Sequence, residues 1–184
     1  MSTLNERHTL AEQVAQAMGK SVYNNVEAHK DITPRLELQQ KSPKLMTLEE
    51  AIRHSGLKDG MTISFHHHFR GGDKVVNMVV AKLAEMGFKG LHLAASSLQD
   101  VHEPLIEHIR NGVITEISTS GLRGELAKEI SHGLMEKPVV FRSHGGRGEA
   151  IASGELHIDV AFLGASSSDP LGNACGYSRS ENAK

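Results

Sequence analysis

Five short apolar runs, rich in β-branched residues, alternate with stretches of helical period, and this alternation constrains the fold more than any other feature. The runs are Met61–Phe65, Leu91–Ala95, Val113–Ser118, Val139–Phe141 and Ile158–Leu163. Between them Val75, Met78, Val79 and Met86 fall near one helix face, with Asp73 as N-cap and Gly87 as the stop. Leu105, Ile106 and Ile109 form a shorter helix behind Pro104, and Leu122, Leu126, Ile130 and Leu134 recur every four residues with Gly133 in the last turn. A last short helix is expected over Glu149–Ser153. Ahead of the first strand, Thr47 and Glu50 have the spacing of a capping box, and Gly56 ends that helix. Strand–helix alternation predicts right-handed crossovers and a mostly parallel sheet in a three-layer α/β/α domain. The continuous apolarity of "IDVAFLG" predicts a strand buried on both faces. An α+β domain with some antiparallel pairing is the competing fold.

The domain is expected over residues 46–177. Residues 1–45 change character: "TLAEQVAQAM" suits a short helix, and "NNVEAHKDITPRLELQQKSPK" is polar and aperiodic. They read as a helical or extended N-terminal arm that packs on another surface, with disorder as the alternative. Residues 178–184 are a polar tail. Charge is nearly balanced, 20 basic against 22 acidic residues, which gives no reason to expect nucleic acid or an anionic membrane surface. No apolar run reaches the length of a spanning helix, and "MSTLNERHTL" lacks the pattern of a signal peptide. The single cysteine, Cys175, excludes an internal disulfide framework and suits a reducing, cytoplasmic compartment.

Ligands of open α/β sheets bind outside the carboxyl ends of the strands. Here each strand runs into a polar or glycine-rich loop: "HHHFRGGD", "SSLQD", "STSGLRG", "RSHGGRG" and "GASSSDPLGNACG". The loops entering the strands are plain turns such as "GLKDG" and "GFKG". One sheet edge is therefore expected to hold something rich in oxygen. Gly71-Gly72 opens a helix, so its N–H groups and the helix dipole favour a carboxylate or phosphate, with Arg70 and Arg147 as bidentate partners. "FRGGD" matches neither the dinucleotide fingerprint nor the P-loop.

The same edge carries the residue types of two other chemistries. His66 and His68 share one face of an extended segment and, with His144 or Asp169, have the makings of a zinc or iron site, but no cysteine or HExxH pattern supports one; hydrogen bonding to ligand or backbone is the preferred reading, with no metal. Ser97 or Ser120 with His144 and Asp169 has the residue types of a hydrolase triad, without the G-x-S-x-G elbow. The serines then cap helices and line the pocket, and Cys175 is a spectator thiol.

"DGMTISFHHHFRGGDKVVNMV", "AEMGFKGLHLAASSL", "PLIEHIRNGVITEISTSGLRG" and "GELHIDVAFLGASSSDPLGNACGY" strongly resemble the citrate lyase alpha subunit, over Leu48 to Tyr177. The resemblance implies the α/β fold shared by CoA-transferases and some sugar-phosphate isomerases. It also implies a citrate CoA-transferase, which replaces acetyl by citrate on an acyl-carrier thioester and releases acetate. The implied partners are a beta subunit that cleaves the citryl-thioester, an acyl carrier (gamma) subunit bearing the CoA-like prosthetic group, citrate and acetyl-thioester, in an oligomeric assembly. The resemblance implies no cofactor bound permanently to this chain. The substrate cradle implied is His66, His68, Arg70, Gly71, Gly72, Ser97, Ser120, Gly121, His144, Gly145, Gly146, Arg147, Asp169, Gly172 and Asn173, with the histidines orienting substrate and no catalytic residue assigned. Two departures stand out. The family's chain is much longer, with a second α/β half, so this chain resembles its N-terminal half. The family's "HSHGGR" appears here as "RSHGGRGE". "SEN" at Ser180–Asn182 resembles the glutamate motif of other CoA-transferases but lies in the tail. Three alternatives stay open: a truncated, non-catalytic assembly module of the lyase complex, a citramalate-type CoA-transferase, and a sugar-phosphate isomerase using Asp73, Asp100 or Asp169.

Overall fold

A computed structural model of the chain describes residues 44–66, 74–165 and 167–175. All but the last two residues of the expected N-terminal arm, the "HHFRGGD" segment after His66 and the expected polar tail lie outside the described residues. The elements follow in the order α1 (Leu48–Ser55), β1 (Thr62–His66), α2 (Val75–Glu85), β2 (Leu91–Ala95), a 3-10 turn (Asp100–His102), α3 (Leu105–Arg110), β3 (Ile114–Thr119), α4 (Gly124–Ser131), β4 (Val140–Phe141), α5 (His144–Ser153), β5 (Val160–Leu163), β6 (Ser167–Ser168) and β7 (Ala174–Cys175). The first five strands form one sheet in the order β4-β3-β2-β1-β5, and every pair is parallel. β6 and β7 form a separate antiparallel pair.

Strand order explains the layers. From β1 to β4 the chain steps in one direction, so right-handed crossovers put the intervening helices on one face. There Ile52 of α1, Val76, Val79, Val80 and Leu83 of α2, Ile106 and Ile109 of α3, and Leu126 of α4 share a core with Ile63, Phe65, Leu93 and Ile117 of the strands. The step from β4 to β5 crosses back over the whole sheet, and α5 accordingly packs on the other face, where Ala150 and Leu156 meet Ala94. Helices therefore flank a parallel sheet on both sides, as expected, with a single helix on the second side among the described residues.

Local signals behave as their chemistry dictates. The Thr47 hydroxyl accepts from the Glu50 N–H at 3.3 Å while the Glu50 carboxylate accepts from the Thr47 N–H at 2.8 Å, closing the capping box; Gly56 follows at φ 74°. α2 ends at Glu85 with Gly87 at φ 86°, but its N-cap position belongs to Lys74, one residue after the expected Asp73. The four-residue period from Leu122 to Leu134 overstates α4. Leu122 is held in a parallel bridge to Leu98, and Gly133, at φ 92°, lies beyond the helix. Gly124 is required where it stands: a Cβ there would sit 2.5 Å from Asp100 Oδ1, and its φ is 69°.

β5 corrects the expectation of a strand buried on both faces. It lies at the sheet edge with Ala161 and Leu163 exposed, Leu163 at 72%. Apolarity along a strand reports side-chain type, whereas burial depends on which neighbours the rest of the polypeptide supplies. Val140 and Phe141 of β4, at the opposite edge, are exposed as well.

Candidate functional site

Side chains alternate across a strand, and the five-strand sheet divides into an apolar face and a polar one. Register builds the polar face row by row. Thr62 lies opposite His92, and His92 opposite Glu116, because a register shift beside His92 skips Thr115. The next row is Ser64, Ala94, Ser118 and Val140. Two arginines reach this face. Arg147, on the first turns of α5, donates from Nη2 to Ser64 Oγ at 2.8 Å and to the Ala94 carbonyl at 3.2 Å. Arg142, just past β4, donates from Nη2 to Glu155 Oε1 at 2.8 Å and approaches Ser118 Oγ with Nη1 at 3.5 Å. Ala94 and Ser118 are register partners on adjacent strands, about 4.8 Å apart. The two guanidinium groups thus stand over neighbouring positions of one row.

Such a pair is electrostatically unfavourable when empty. Burial first, and the Arg142 charge second, make Arg147 easier to deprotonate than an ordinary arginine, although a guanidinium keeps its charge in proteins. Arg147 Nη1 is buried and has no hydrogen-bond partner among the described residues, and the same holds for Ser120 Oγ at the end of β3. Unpaired buried donors are costly, and a bound anion would satisfy them. Nearby, His92 is held below the usual histidine range by burial, with Arg142, Lys137 and Arg147 adding to the effect against Glu116. Glu116 is itself held below its ordinary value chiefly by a hydrogen bond from Lys137 at 2.5 Å.

The expected residues divide into distinct groups. Ser97, Ser120 and Gly121 come together where β2 and β3 exit: Leu98 N–H donates to the Gly121 carbonyl at 2.8 Å, Gln99 Nε2 donates to Ser97 Oγ at 3.0 Å, and a Cβ on Gly121 would lie 3.2 Å from Ser97 Oγ. His144, Gly145, Gly146 and Arg147 sit together, but not as a loop. They form the start of α5, whose N-cap Ser143 accepts from the Gly146 N–H at 3.0 Å. That N–H is therefore committed to the cap, and the expected glycine-loop cradle becomes a helix N-terminus. Asp169, Gly172 and Asn173 belong to the β6–β7 turn. The Asp169 carboxylate accepts from the Leu171 and Asn173 N–H groups and from Asn173 Nδ2 at 2.7 Å, and the Asn173 bonds hold its pKa down. It organises its own turn. His66 ends β1 and is exposed. His68, Arg70, Gly71 and Gly72 lie outside the described residues.

Among the described residues no group of His, Cys, Asp or Glu side chains is arranged to hold a metal ion. No hydrogen bond there links Ser97 or Ser120, His144 and Asp169 into a triad. Two surface cavities lie elsewhere. One, about 430 Å³, is lined by Glu103, Glu107, Glu125 and Glu129 around Arg110. The other, about 350 Å³, opens at the amino end of β3 beside Ile114, Leu134 and Met135. Arg142, Ser64, His92 and Ser118 were missed in reading the sequence. For Ser64 and Ser118 the signal was present as polar residues at every second position: Thr62, Ser64 and His66 in one run, and Glu116, Ser118 and Ser120 in another.

The sequence profile of the family described as citrate lyase, alpha subunit (CitF), matches residues 42–183. The chain belongs to this family. It is 63% identical to the citrate lyase alpha chain of Klebsiella pneumoniae, over 80% of this chain and 31% of that protein. Against the Escherichia coli K12 citrate lyase alpha chain the identity is 67%, over 71% of this chain and 26% of the relative. Among solved structures it is similar to a Streptococcus mutans protein described as a citrate lyase alpha subunit in complex with citrate. There the TM-score is 0.71 and the identity 58%, covering 74% of this chain and 27% of that one. The chain spans about 30% of the length of the curated relatives it matches. Among the described residues, no helix is long and apolar enough to cross a membrane.

Proposed function

We propose that the chain contributes the citrate-binding half of a citrate CoA-transferase, the component that replaces acetyl by citrate on an acyl-carrier thioester and releases acetate. The observation that carries this reading is the arginine pair over the polar face, with Arg147 Nη1 buried and unpartnered among the described residues. Citrate has three carboxylates, and planar guanidinium groups bind carboxylates through paired N–H donors. Addition of a carboxylate to a thioester carbonyl gathers negative charge on the carbonyl oxygen, and fixed cations and helix N–H groups stabilise that charge. α5 presents its N-terminus beside Arg147, with His144 and Gly145 in its first turn.

The CoA-like group belongs to the carrier and arrives as part of the substrate. The partners in this reading are the acyl carrier and the beta subunit, in the cytoplasm. The test incubates the chain with citrate and an acetyl-carrier thioester and follows citryl-thioester by mass spectrometry. Formation of citryl-thioester by the wild type, and its loss in Arg147→Met, supports the reading. A folded chain that forms none, alone and when supplied with the length of a relative it lacks, overturns it. Replacing citrate by citramalate in the same assay separates the two substrate readings.

A second reading has its own observation. Leu163, Phe141 and Val140 expose apolar side chains on both edge strands, as expected of an assembly module that other polypeptide completes. In that case the chain binds its partners and shows no exchange activity by itself.

A further inference from the structure

His92 plays no part in the reading above, yet it occupies the centre of the polar face. β2 is the middle strand of five. Residues at such positions of a helix-covered parallel sheet are ordinarily aliphatic. An imidazole there loses hydration and sits among Arg142, Lys137 and Arg147, so the neutral form is favoured. A neutral imidazole has one donor and one acceptor nitrogen, and its partners decide which is which. Arg142 Nη1 can only donate, so Ser118 Oγ accepts from it at 3.5 Å. The Ser118 proton is then directed to His92 Nε2, 2.9 Å away. Nδ1–H faces Thr62 Oγ1 at 3.4 Å on the other side. A directed chain of donors, Arg142 to Ser118 to His92 to Thr62, crosses three strands.

We infer that His92 is a positioning residue for the anion site: it orients the Ser118 hydroxyl, and Ser118 together with Glu155 sets the Arg142 guanidinium beside Arg147. His92 touches no ligand and acts only through Arg142. The inference rests on the citrate reading for its consequence, but its structural content can be judged without citrate.

Two measurements test it. The first is citrate affinity by calorimetry for wild type, His92→Leu, His92→Gln, Arg142→Gln and the His92→Leu/Arg142→Gln pair, all well below their melting temperatures. A residue acting through Arg142 predicts about fivefold weaker binding in His92→Leu, partial rescue in His92→Gln, and no further loss in the pair beyond Arg142→Gln alone. Unchanged affinity in His92→Leu, or losses that multiply in the pair, overturns it. The second is rotation about the Arg142 Cζ–Nη bonds, read from its Nη–H resonances by ¹⁵N NMR at low temperature and expected to be restricted in wild type and faster in His92→Leu. An identical signal in both overturns the inference whatever citrate does, whereas absence of citrate binding by the wild type overturns only the functional reading. Should His92→Leu not fold, Ser118→Ala breaks the same link at its other end and is read the same way.

Discussion

Arg147 on α5 donates to Ser64 in the middle of β1 at 2.8 Å, although 83 residues separate them in the chain. The contact ties the crossover helix to the polar face of the sheet, in the same row as Ser118, which Arg142 reaches on β3. What sheet order does for the fold, returning the chain across the whole sheet between β4 and β5, thus also delivers the cation.

Gly124 tests the packing of the β2 and β3 exit loops. A Cβ there meets Asp100 Oδ1 at 2.5 Å and Asp100 Cα at 3.0 Å, at φ 69°. Gly124→Ala is expected to cost about 2 kcal/mol in urea denaturation. Gly148 lies inside α5 with nothing within 4 Å of a Cβ, so Gly148→Ala is expected to gain about 0.5–1 kcal/mol. Equal effects at the two positions would contradict the loop packing described.

Stability should fall in mild acid. His92 and His108 both have pKa values lowered chiefly by burial from the ordinary 6.5. The unfolded chain therefore binds these protons more readily than the folded one, and stability present above pH 6.5 is lost as pH falls through the folded values. Glu116, held low by Lys137, adds a further loss below the carboxylate range near 4.5. Melting temperatures at pH 7.5, 6.5 and 5.5 are expected to decline, with a shallower decline in His92→Asn. A flat or rising profile would contradict the placement of His92.

The two leucines of the sheet faces should separate sharply. Leu93, fully buried in the middle strand, is expected to cost about 2–5 kcal/mol on truncation to alanine. Leu163, 72% exposed on β5, is expected to tolerate Leu163→Ser within about 0.5 kcal/mol in the isolated chain. A large loss at Leu163, measured by the same urea titration, would mean that the β5 edge is covered in solution.

Much of the scaffold was legible because local chemistry determined it. Leu91–Ala95 forms a strand with the bounds expected, Thr47 and Glu50 close their box, and the loops holding Ser97, Ser120 and Gly121 lie at the carboxyl ends of β2 and β3. The start of α5 was not legible, because Gly145 and Gly146 are poor helix formers whose cost Ser143 and the packing of Arg147 offset. The exposure of β5 was not legible either, since it depends on what lies beside the strand. The polar face was the larger loss. Reading β1 and β3 as apolar runs concealed the alternation of Thr62, Ser64 and His66, and of Glu116, Ser118 and Ser120, which register alone aligns into rows.

Calorimetric titration of citrate into the wild-type chain and into Arg147→Met tests most directly the claim that the arginine pair holds a polycarboxylate. Saturable one-site binding by the wild type, weakened at least about tenfold in a variant that still melts cooperatively, is the result predicted for loss of one charged hydrogen-bonding partner. Equal affinity in the two proteins, or none in a folded wild type, would contradict it.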